Sequence, residues 1–379
     1  MKKMVLFASS LLLLLSFHFL ISATPTGIRY KDEIFPEVDI TKDIVYGQNY
    51  NSTGELVELK MDVYEPHGDT EEKRALVIFI HGGGFVSGDK ASRQWVRICT
   101  TFAKRGYVSA SINYRLQPKG YINYGVAITR AMHDAKAAVR YFRANSDLWH
   151  IDDEKIAMGG GSAGAVTALY TTYLTEPQYE GNSGSPGYSS RTSACVDMWG
   201  GLYGNVTEID PEEPPVLIIH GTEDETVPFS EAINISNRCG EVGVYCEMYP
   251  LVGKGHAPWD MENVFLPWMV KFLYGWVEDL WVNIVRPSNY LYVFDREIMP
   301  TSNAVIVGKI TVKTDIHSDY EIDGVKFYVD NKLKYTDEEP PFQWVWNDFI
   351  VGRHEVKVIA CDKEENEAAD KVNITIFNI

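Results

Sequence analysis

Apolar residues along this chain occur in two patterns, as continuous stretches and at helical spacing. Two stretches, 75–80 and 215–219, are apolar at nearly every position, which is typical of strands buried on both faces of a parallel sheet. Stretches 92–105 and 131–142 instead place their apolar residues at helical spacing. Strands that alternate with helices predict an α/β domain with a mostly parallel sheet, in which ligands bind beyond the carboxyl ends of the strands.

The pattern changes on both sides of this α/β region. Segments 43–46 and 56–64 alternate apolar and polar residues imperfectly, which predicts an antiparallel edge pair. From about residue 287, apolar residues alternate with polar neighbours and no helical period remains, which predicts a small antiparallel β-sandwich of immunoglobulin-like type. A chain of 379 residues has room for two domains, and we assign 24–286 to the α/β domain and 287–379 to the sandwich.

The first residues have the pattern of an export signal. Lys2 and Lys3 precede an apolar run over residues 4–21, and Ala23 is a suitable last residue before cleavage. We therefore expect residues 1–23 to be a signal peptide and the protein to be secreted or extracellular. An uncleaved membrane anchor is the alternative, because the run is long and rich in leucine.

Net charge, cysteine content and the spacing of metal-binding residue types indicate which partners and cofactors to expect. The formal net charge of −17 disfavours nucleic acid and anionic membrane surfaces as partners. Five cysteines are too few and odd in number for a disulfide scaffold. Cys239 and Cys246 either form a disulfide or are two buried thiols, and the sequence leaves both readings open. No His, Cys or carboxylate spacing predicts a metal site, so we expect neither metal nor cofactor.

A glycine-rich turn is the first candidate for chemistry. Gly160-x-Ser162-x-Gly164 follows a strand pattern at 155–158 and precedes small residues at helical spacing over 165–170. This strand–turn–helix order is that of a nucleophile elbow, in which glycines remove clashes around a strained serine. A phosphate-binding turn and a plain tight turn are the alternatives.

A serine nucleophile needs a base, which is usually histidine, and a third group to orient that base. In α/β-hydrolases the order along the chain is Ser, Asp or Glu, then His. Four histidines follow the serine: His220, His256, His317 and His354. The last two fall in the predicted sandwich, and the first ends a strand before any suitable acid. His256 lies on a glycine-flanked loop after the last strand of the α/β region and is therefore the candidate base.

The candidate acid is Asp224, on a turn that follows the strand pattern at 215–219. Glu223 and Glu225 are adjacent alternatives, although ordinary surface charge explains both. The oxyanion of a tetrahedral intermediate needs N–H donors that are already in place. The stretch His81-Gly82-Gly83-Gly84 and the residue after the serine, Ala163, offer such donors.

These motifs together resemble the α/β-hydrolase carboxylesterases that carry an HGGG oxyanion motif, and among them acetyl-xylan and feruloyl esterases. The resemblance covers about residues 43–281. It rests on HGGGF at 81–85, GGSAG at 160–164, HGTEDETVP at 220–228 and GKGH at 253–256. It implies the following roles: nucleophile Ser162, base His256, orienting acid Asp224, and oxyanion donors Gly83, Gly84 and Ala163. The tail resembles the immunoglobulin-like domains of secreted bacterial proteins.

The interval from Ser162 to Asp224 has room for a helix, a loop and a strand but not for a large lid domain. An open site favours a hydrophilic or polymer-borne ester over a buried lipid. Four aromatic residues near the motifs could stack on sugar or aryl groups, or could simply pack in the core. They are Phe85, Trp199, Tyr203 and Trp259.

The predicted function is thus that of a secreted serine esterase. It would hydrolyse carboxylic esters, such as small acyl, acetyl or feruloyl esters on plant polysaccharide, through an acyl-enzyme. Two alternatives remain at this point: an inactive hydrolase-fold protein with a binding or adhesion role, and a serine peptidase on the same fold. The sequence does not indicate the oligomeric state.

Overall fold

A computed structural model describes residues 27–118, 120, 123–277, 280–318, 320–363 and 366–378. The predicted signal peptide lies outside this part of the chain. Across the described ranges, none of the helices is both long and apolar enough to cross a membrane.

An eight-stranded sheet forms the centre of the first region. Its strands, in chain order, are β1 (Val38–Tyr50), β2 (Leu56–Pro66), β3 (Arg74–Ile80), β4 (Val108–Ile112), β5 (Ile151–Gly161), β6 (Ala194–Met198), β7 (Val216–Gly221) and β8 (Cys246–Leu251). The spatial order is β1-β2-β4-β3-β5-β6-β7-β8. The β1–β2 and β2–β4 pairs are antiparallel and all others are parallel. This confirms the predicted α/β fold with a mostly parallel sheet.

Helices cover both faces of this sheet. They are α1 (Arg93–Ala103), α2 (Tyr124–Ala144), α3 (Ser146–Trp149), α4 (Ala163–Tyr173), α5 (Ser230–Val242) and α6 (Glu262–Val277). Apolar side chains of α2, α4 and α5 form one core with one face of the sheet, and those of α1 and α6 form a second core with the other face. Strands β3, β4, β6 and β7 are buried at every position, and burial on both faces explains the apolar stretches at 75–80 in β3 and 215–219 at β7.

The C-terminal region is entirely β. Its strands are β9 (Leu280–Arg286), β10 (Tyr290–Val293), β11 (Arg296–Pro300), β12 (Ala304–Val307), β13 (Ile310–Ser318), β14 (Ile322–Val329), β15 (Lys332–Asp337), β16 (Gln343–Trp346), β17 (Ile350–Asp362) and β18 (Glu367–Asn378). One sheet has the order β11-β10-β12-β18-β17-β14-β15 and the other β16-β13-β9. The inward-facing residues of both sheets form a separate core, in which Trp344 and Trp346 stack with ring centroids 5.4 Å apart.

The all-β sandwich agrees with the sequence, but its pairing is not wholly antiparallel. Strand β12 pairs in parallel with β10 and with β18. Alternation of apolar and polar residues indicates that a strand has one buried face. It does not indicate whether the neighbouring strand runs parallel or antiparallel.

The junction between the two regions lies near strand β9. This strand pairs with β13 in the sandwich, so residues 280–286 hydrogen-bond to the C-terminal region. Its Trp281 also lies directly against Gly275 of α6, where any side chain would overlap the indole ring. We therefore propose that the domains divide between residues 277 and 280, a few residues before the division at 286 drawn from the sequence.

Candidate active site

The sharp turn after β5 presents Ser162 at the carboxyl edge of the sheet. Ser162 has φ 56° and ψ −122°, in the left-handed region that ordinary residues avoid, and it directly precedes helix α4. A side chain at Gly160 would overlap the backbone of Gly164, and one at Gly164 would overlap the Ile80 carbonyl of β3. The turn is fixed by a hydrogen bond from the Ser162 N–H to the Met198 carbonyl, at 3.0 Å. The glycines therefore permit the close packing that holds the serine in a strained position.

A continuous hydrogen-bonded chain joins three of the predicted residues. The Ser162 Oγ lies 2.8 Å from His256 Nε2, and His256 Nδ1 lies 2.7 Å from Asp224 Oδ2. A carboxylate can only accept, so the Nδ1 nitrogen carries the proton and Nε2 is left to accept from the serine hydroxyl. The Asp224 side chain is fully buried, whereas the His256 side chain is 20% exposed. The arrangement leaves the serine and the histidine accessible and removes the acid from water.

The turn after β7 binds the Asp224 carboxylate with its own backbone. The Oδ1 atom accepts from the N–H groups of Thr226 and Val227, at 2.8 and 3.0 Å. This leaves Oδ2 to face His256. The adjacent Glu223 and Glu225 are both exposed, on the solvent side of the same turn. Neither shares the contacts of Asp224.

The loop that carries His256 is packed on this same turn. The Glu223 N–H donates to the Lys254 carbonyl at 2.9 Å, and a side chain at Gly221 would overlap the Lys254 backbone. Ala257, directly after the histidine, has φ 53°. The close backbone contact between the two loops sets the distance between acid and base.

The HGGG loop follows β3 and lies beside the serine turn. Gly83 and Gly84 have φ values of 116° and 61°, and a side chain at Gly83 would overlap the Ser87 carbonyl. The loop is held at His81, whose carbonyl accepts from the Tyr114 hydroxyl at 3.0 Å and whose Nδ1–H donates to the Gly82 carbonyl at 2.8 Å. Burial lowers the pKa of His81 and favours this neutral form.

Three backbone donors remain available near Ser162. Within the described residues, no hydrogen bond uses the N–H of Gly83, Gly84 or Ala163. Gly83 and Gly84 line the cleft above the serine, and Ala163 is the first residue of α4. The N-terminus of a helix and a glycine turn are both suited to a developing negative charge.

A cleft of about 400 Å³ opens beside Ser162. Its apolar wall consists of Trp95, Trp199 and Trp259. The Trp259 ring meets each of the other two nearly at right angles, with centroids 5.4 Å from Trp95 and 5.2 Å from Trp199. Two of the four aromatic residues singled out in the sequence therefore lie in the cleft. Phe85 instead packs edge-on against Tyr114 in the core.

Sequence analysis missed two contributors to this cleft. Trp95 belongs to the apolar face of α1, and nothing in its spacing distinguishes it from the core residues of that helix. Asp197, at the end of β6, accepts from the Gly200 N–H at 2.7 Å and so holds the turn that carries Trp199, whose φ is 51°. Burial raises the pKa of Asp197 to about 7. An acidic residue just before Trp199-Gly200-Gly201 was the available signal.

The described residues contain no group of three or more His, Cys, Asp or Glu side chains that could hold a metal ion. Cys239 and Cys246 are free thiols in this structure. They lie close enough for a hydrogen bond from Cys239 to lower the pKa of the Cys246 thiol.

Parts of the chain are similar to known protein families and to curated esterases. The family described as BD-FAE matches residues 61–205, which include the HGGG loop and Ser162 but not Asp224 or His256. The bacterial Ig domain family matches residues 298–363. Esterase LipC of Mycobacterium tuberculosis is 26% identical over 238 residues, which are 52% of this chain and 56% of that protein. An acetyl esterase of Salmonella schwarzengrund is 26% identical over 148 residues, 37% of this chain and 41% of that one.

Among solved structures, Thermogutta terrifontis esterase 2, phosphonylated by cyclosarin, superimposes with a TM-score of 0.52 at 26% identity. That match covers 65% of this chain and 95% of the esterase. A truncated carbohydrate esterase from gut microbiota, at 21% identity and a TM-score of 0.52, shares the fold. The chain spans less than two thirds of the length of the two curated relatives named above. The first region of the chain therefore has the α/β-hydrolase fold of these esterases, and a region that matches the bacterial Ig domain family follows it.

Proposed function

We propose that this protein is a serine hydrolase of carboxylic esters, with Ser162 as nucleophile, His256 as base and Asp224 as the acid that orients the base. The observation that carries the proposal is the unbroken hydrogen-bonded chain from the Ser162 hydroxyl through the His256 ring to the buried Asp224 carboxylate. In this arrangement His256 Nε2 is placed to accept the proton of the serine hydroxyl.

The proposed reaction has two halves. His256 Nε2 takes the hydroxyl proton as Ser162 Oγ attacks the ester carbonyl, and the N–H groups of Gly83, Gly84 and Ala163 stabilise the oxyanion. The protonated ring then gives its proton to the departing alkoxide, which leaves an acyl-serine. Water, deprotonated by His256, attacks the acyl-serine, and collapse of the second tetrahedral intermediate releases the acid and restores the serine.

The shape of the cleft favours esters of small or flat acids. Three tryptophans form a rigid wall that suits an acetyl group or the face of an aromatic acid, while the exposed edge of the cleft leaves room for a bulky alcohol such as a polysaccharide. We therefore propose acetyl or feruloyl esters of a polysaccharide as substrates. A secreted enzyme would meet such substrates, in keeping with the export pattern of residues 1–23.

A substrate series tests this proposal. We expect kcat/KM for p-nitrophenyl esters to be highest for acetate and to fall steeply from butyrate to palmitate. Release of acetate from acetylated xylan and of ferulate from feruloylated arabinoxylan identifies the acyl group. Chain-length preference for palmitate would contradict the proposed substrate class, and failure to cleave any ester would contradict the proposed function.

We expect the hydrolase region to work without the sandwich. Every residue that lines the cleft lies at or before Trp259, and the sandwich has its own core. A chain that ends at residue 283 keeps Trp281 against α6 and should hydrolyse p-nitrophenyl acetate with nearly the full kcat/KM. Thermal melts establish whether the shortened protein is folded. A folded protein with kcat/KM lowered more than about tenfold, roughly 1.4 kcal/mol, would show that the sandwich shapes the site.

A further inference from the structure

A second histidine lies behind the acid of the triad and has no role in the mechanism above. His220 is the penultimate residue of β7, and its side chain is fully buried. Its Nε2 atom lies 2.9 Å from the Val227 carbonyl oxygen and 3.4 Å from Asp224 Oδ2. The edge of Phe229 covers the ring, with centroids 5.8 Å apart. A buried polar ring in this position needs a reason other than packing.

The contacts of His220 define its protonation. A carbonyl oxygen can only accept, so Nε2 must carry a proton and donate it to Val227. The Nδ1 atom is buried and has no hydrogen-bond partner among the described residues. A second proton on Nδ1 would therefore create a buried N–H group without an acceptor among the described residues. Burial lowers the pKa of His220, the nearby His256 lowers it further, and the Val227 carbonyl, Asp224 and Glu231 oppose this shift.

The carbonyl that His220 binds belongs to the turn that holds the acid. The N–H of Val227 donates to Asp224 Oδ1 at 3.0 Å, while the carbonyl of the same residue accepts from His220. His220 Nε2 also lies 3.4 Å from Asp224 Oδ2, the oxygen that binds His256 at 2.7 Å, while its proton is directed at the Val227 carbonyl. The hydrogen bond from His220 therefore fixes the Val227 peptide, and the N–H of Val227 in turn binds the Asp224 carboxylate.

We propose that His220 is a positioning residue, whose neutral Nε2–H tautomer locks the Val227 turn and holds the Asp224 carboxylate against His256. This inference rests on the proposed esterase function, because it concerns the same hydrogen-bonded chain. His220 touches neither substrate nor the reacting atoms, and it acts only through Asp224.

Two amide substitutions distinguish the role of the Nε2–H donor of His220 from that of the imidazole ring as a whole. In His220→Gln the amide nitrogen reaches approximately the place of Nε2, whereas in His220→Asn it reaches only the place of Nδ1. We expect His220→Gln to keep kcat for p-nitrophenyl acetate within about fivefold of the wild type. We expect His220→Asn to lower kcat about 100-fold with KM changed less than threefold, because the loss arises after binding. Ile235→Ala, on the buried face of α5, is the control for a destabilised fold and should lower Tm without lowering kcat of the folded protein.

A double-mutant cycle tests whether His220 acts through Asp224. In the Asp224→Ala background there is no carboxylate to position, so His220→Asn should lower kcat by less than about threefold. A further loss of about 100-fold in that background, or a wild-type kcat for His220→Asn alone, would overturn the proposal. If the wild type cleaves no ester at all, that result contradicts the proposed function itself and is distinct from the outcomes that concern His220.

One measurement needs neither substitution nor activity. In wild-type protein labelled with ¹⁵N-histidine, ring nitrogen shifts should show His220 as the neutral Nε2–H tautomer throughout the folded pH range. A charged ring or an Nδ1–H tautomer at neutral pH would overturn the proposal even if the asparagine variant did not fold.

Discussion

Ser162→Ala should lower kcat for p-nitrophenyl acetate by at least about 10⁴-fold while leaving the protein folded. Loss of the serine from a comparable triad costs roughly 10⁶-fold in kcat, because the acyl-enzyme can no longer form. The substitution removes only the Oγ atom and its hydrogen bond to His256, at 2.8 Å. The strained backbone of the turn is set by Gly160, Gly164 and the Ser162 N–H bond to Met198, and these remain.

Covalent labelling gives a second measurement of the same prediction. A fluorophosphonate should label the wild type on the peptide that contains Ser162 and should not label the alanine variant. Ser111→Ala is the matched control, since Ser111 is a buried serine of β4 whose Oγ has no hydrogen-bond partner among the described residues. It should be labelled and active like the wild type. Labelling at another serine, or near-normal turnover of Ser162→Ala, would contradict the assignment of the nucleophile.

The strands of the sheet were predictable from the sequence because the burial of each strand determines its pattern of apolar and polar residues. Strand β3 is buried at all its positions, and its residues 75–80 form one apolar run. Strand β2, second from the edge of the sheet, is partly exposed, and its apolar and polar residues alternate imperfectly. The division at residue 286 places strand β9 with the α/β domain, whereas we propose that this strand belongs to the sandwich. Its membership of the sandwich depends on pairing with β13, which lies more than twenty residues further along the chain.

The order Ser, Asp, His was enough to select three side chains that the fold brings into contact, since each follows one of the parallel strands of a single sheet. The wall of the cleft was not predictable in the same way. Trp95 reaches it only because the start of α1 lies against Trp259, which is a tertiary contact between distant segments. His220 was set aside as a strand terminator, and its contact with Val227 depends on how the next turn folds back.

Asp224→Asn should lower kcat about 10⁴-fold with little change in KM, and the local geometry explains why an isosteric change is so costly. The N–H groups of Thr226 and Val227 both donate to Oδ1, so the amide oxygen of asparagine must take that place. The NH₂ group then occupies the place of Oδ2 and points a donor at His256 Nδ1. The histidine is forced into the tautomer with its proton on Nε2, which cannot accept the serine proton.

The neighbouring glutamates supply matched controls for this prediction. Glu223→Gln and Glu225→Gln make the same change from carboxylate to amide on the same turn, but both side chains are exposed and face away from the base. We expect each to keep kcat within about threefold of the wild type, measured on p-nitrophenyl acetate beside Asp224→Asn. If either glutamine variant lost about 10⁴-fold while Asp224→Asn stayed active, the orienting acid would be that glutamate. The His256 loop would then have to pack on the turn differently from the arrangement described, because only Asp224 lies beneath the histidine ring's Nδ1 atom in this structure.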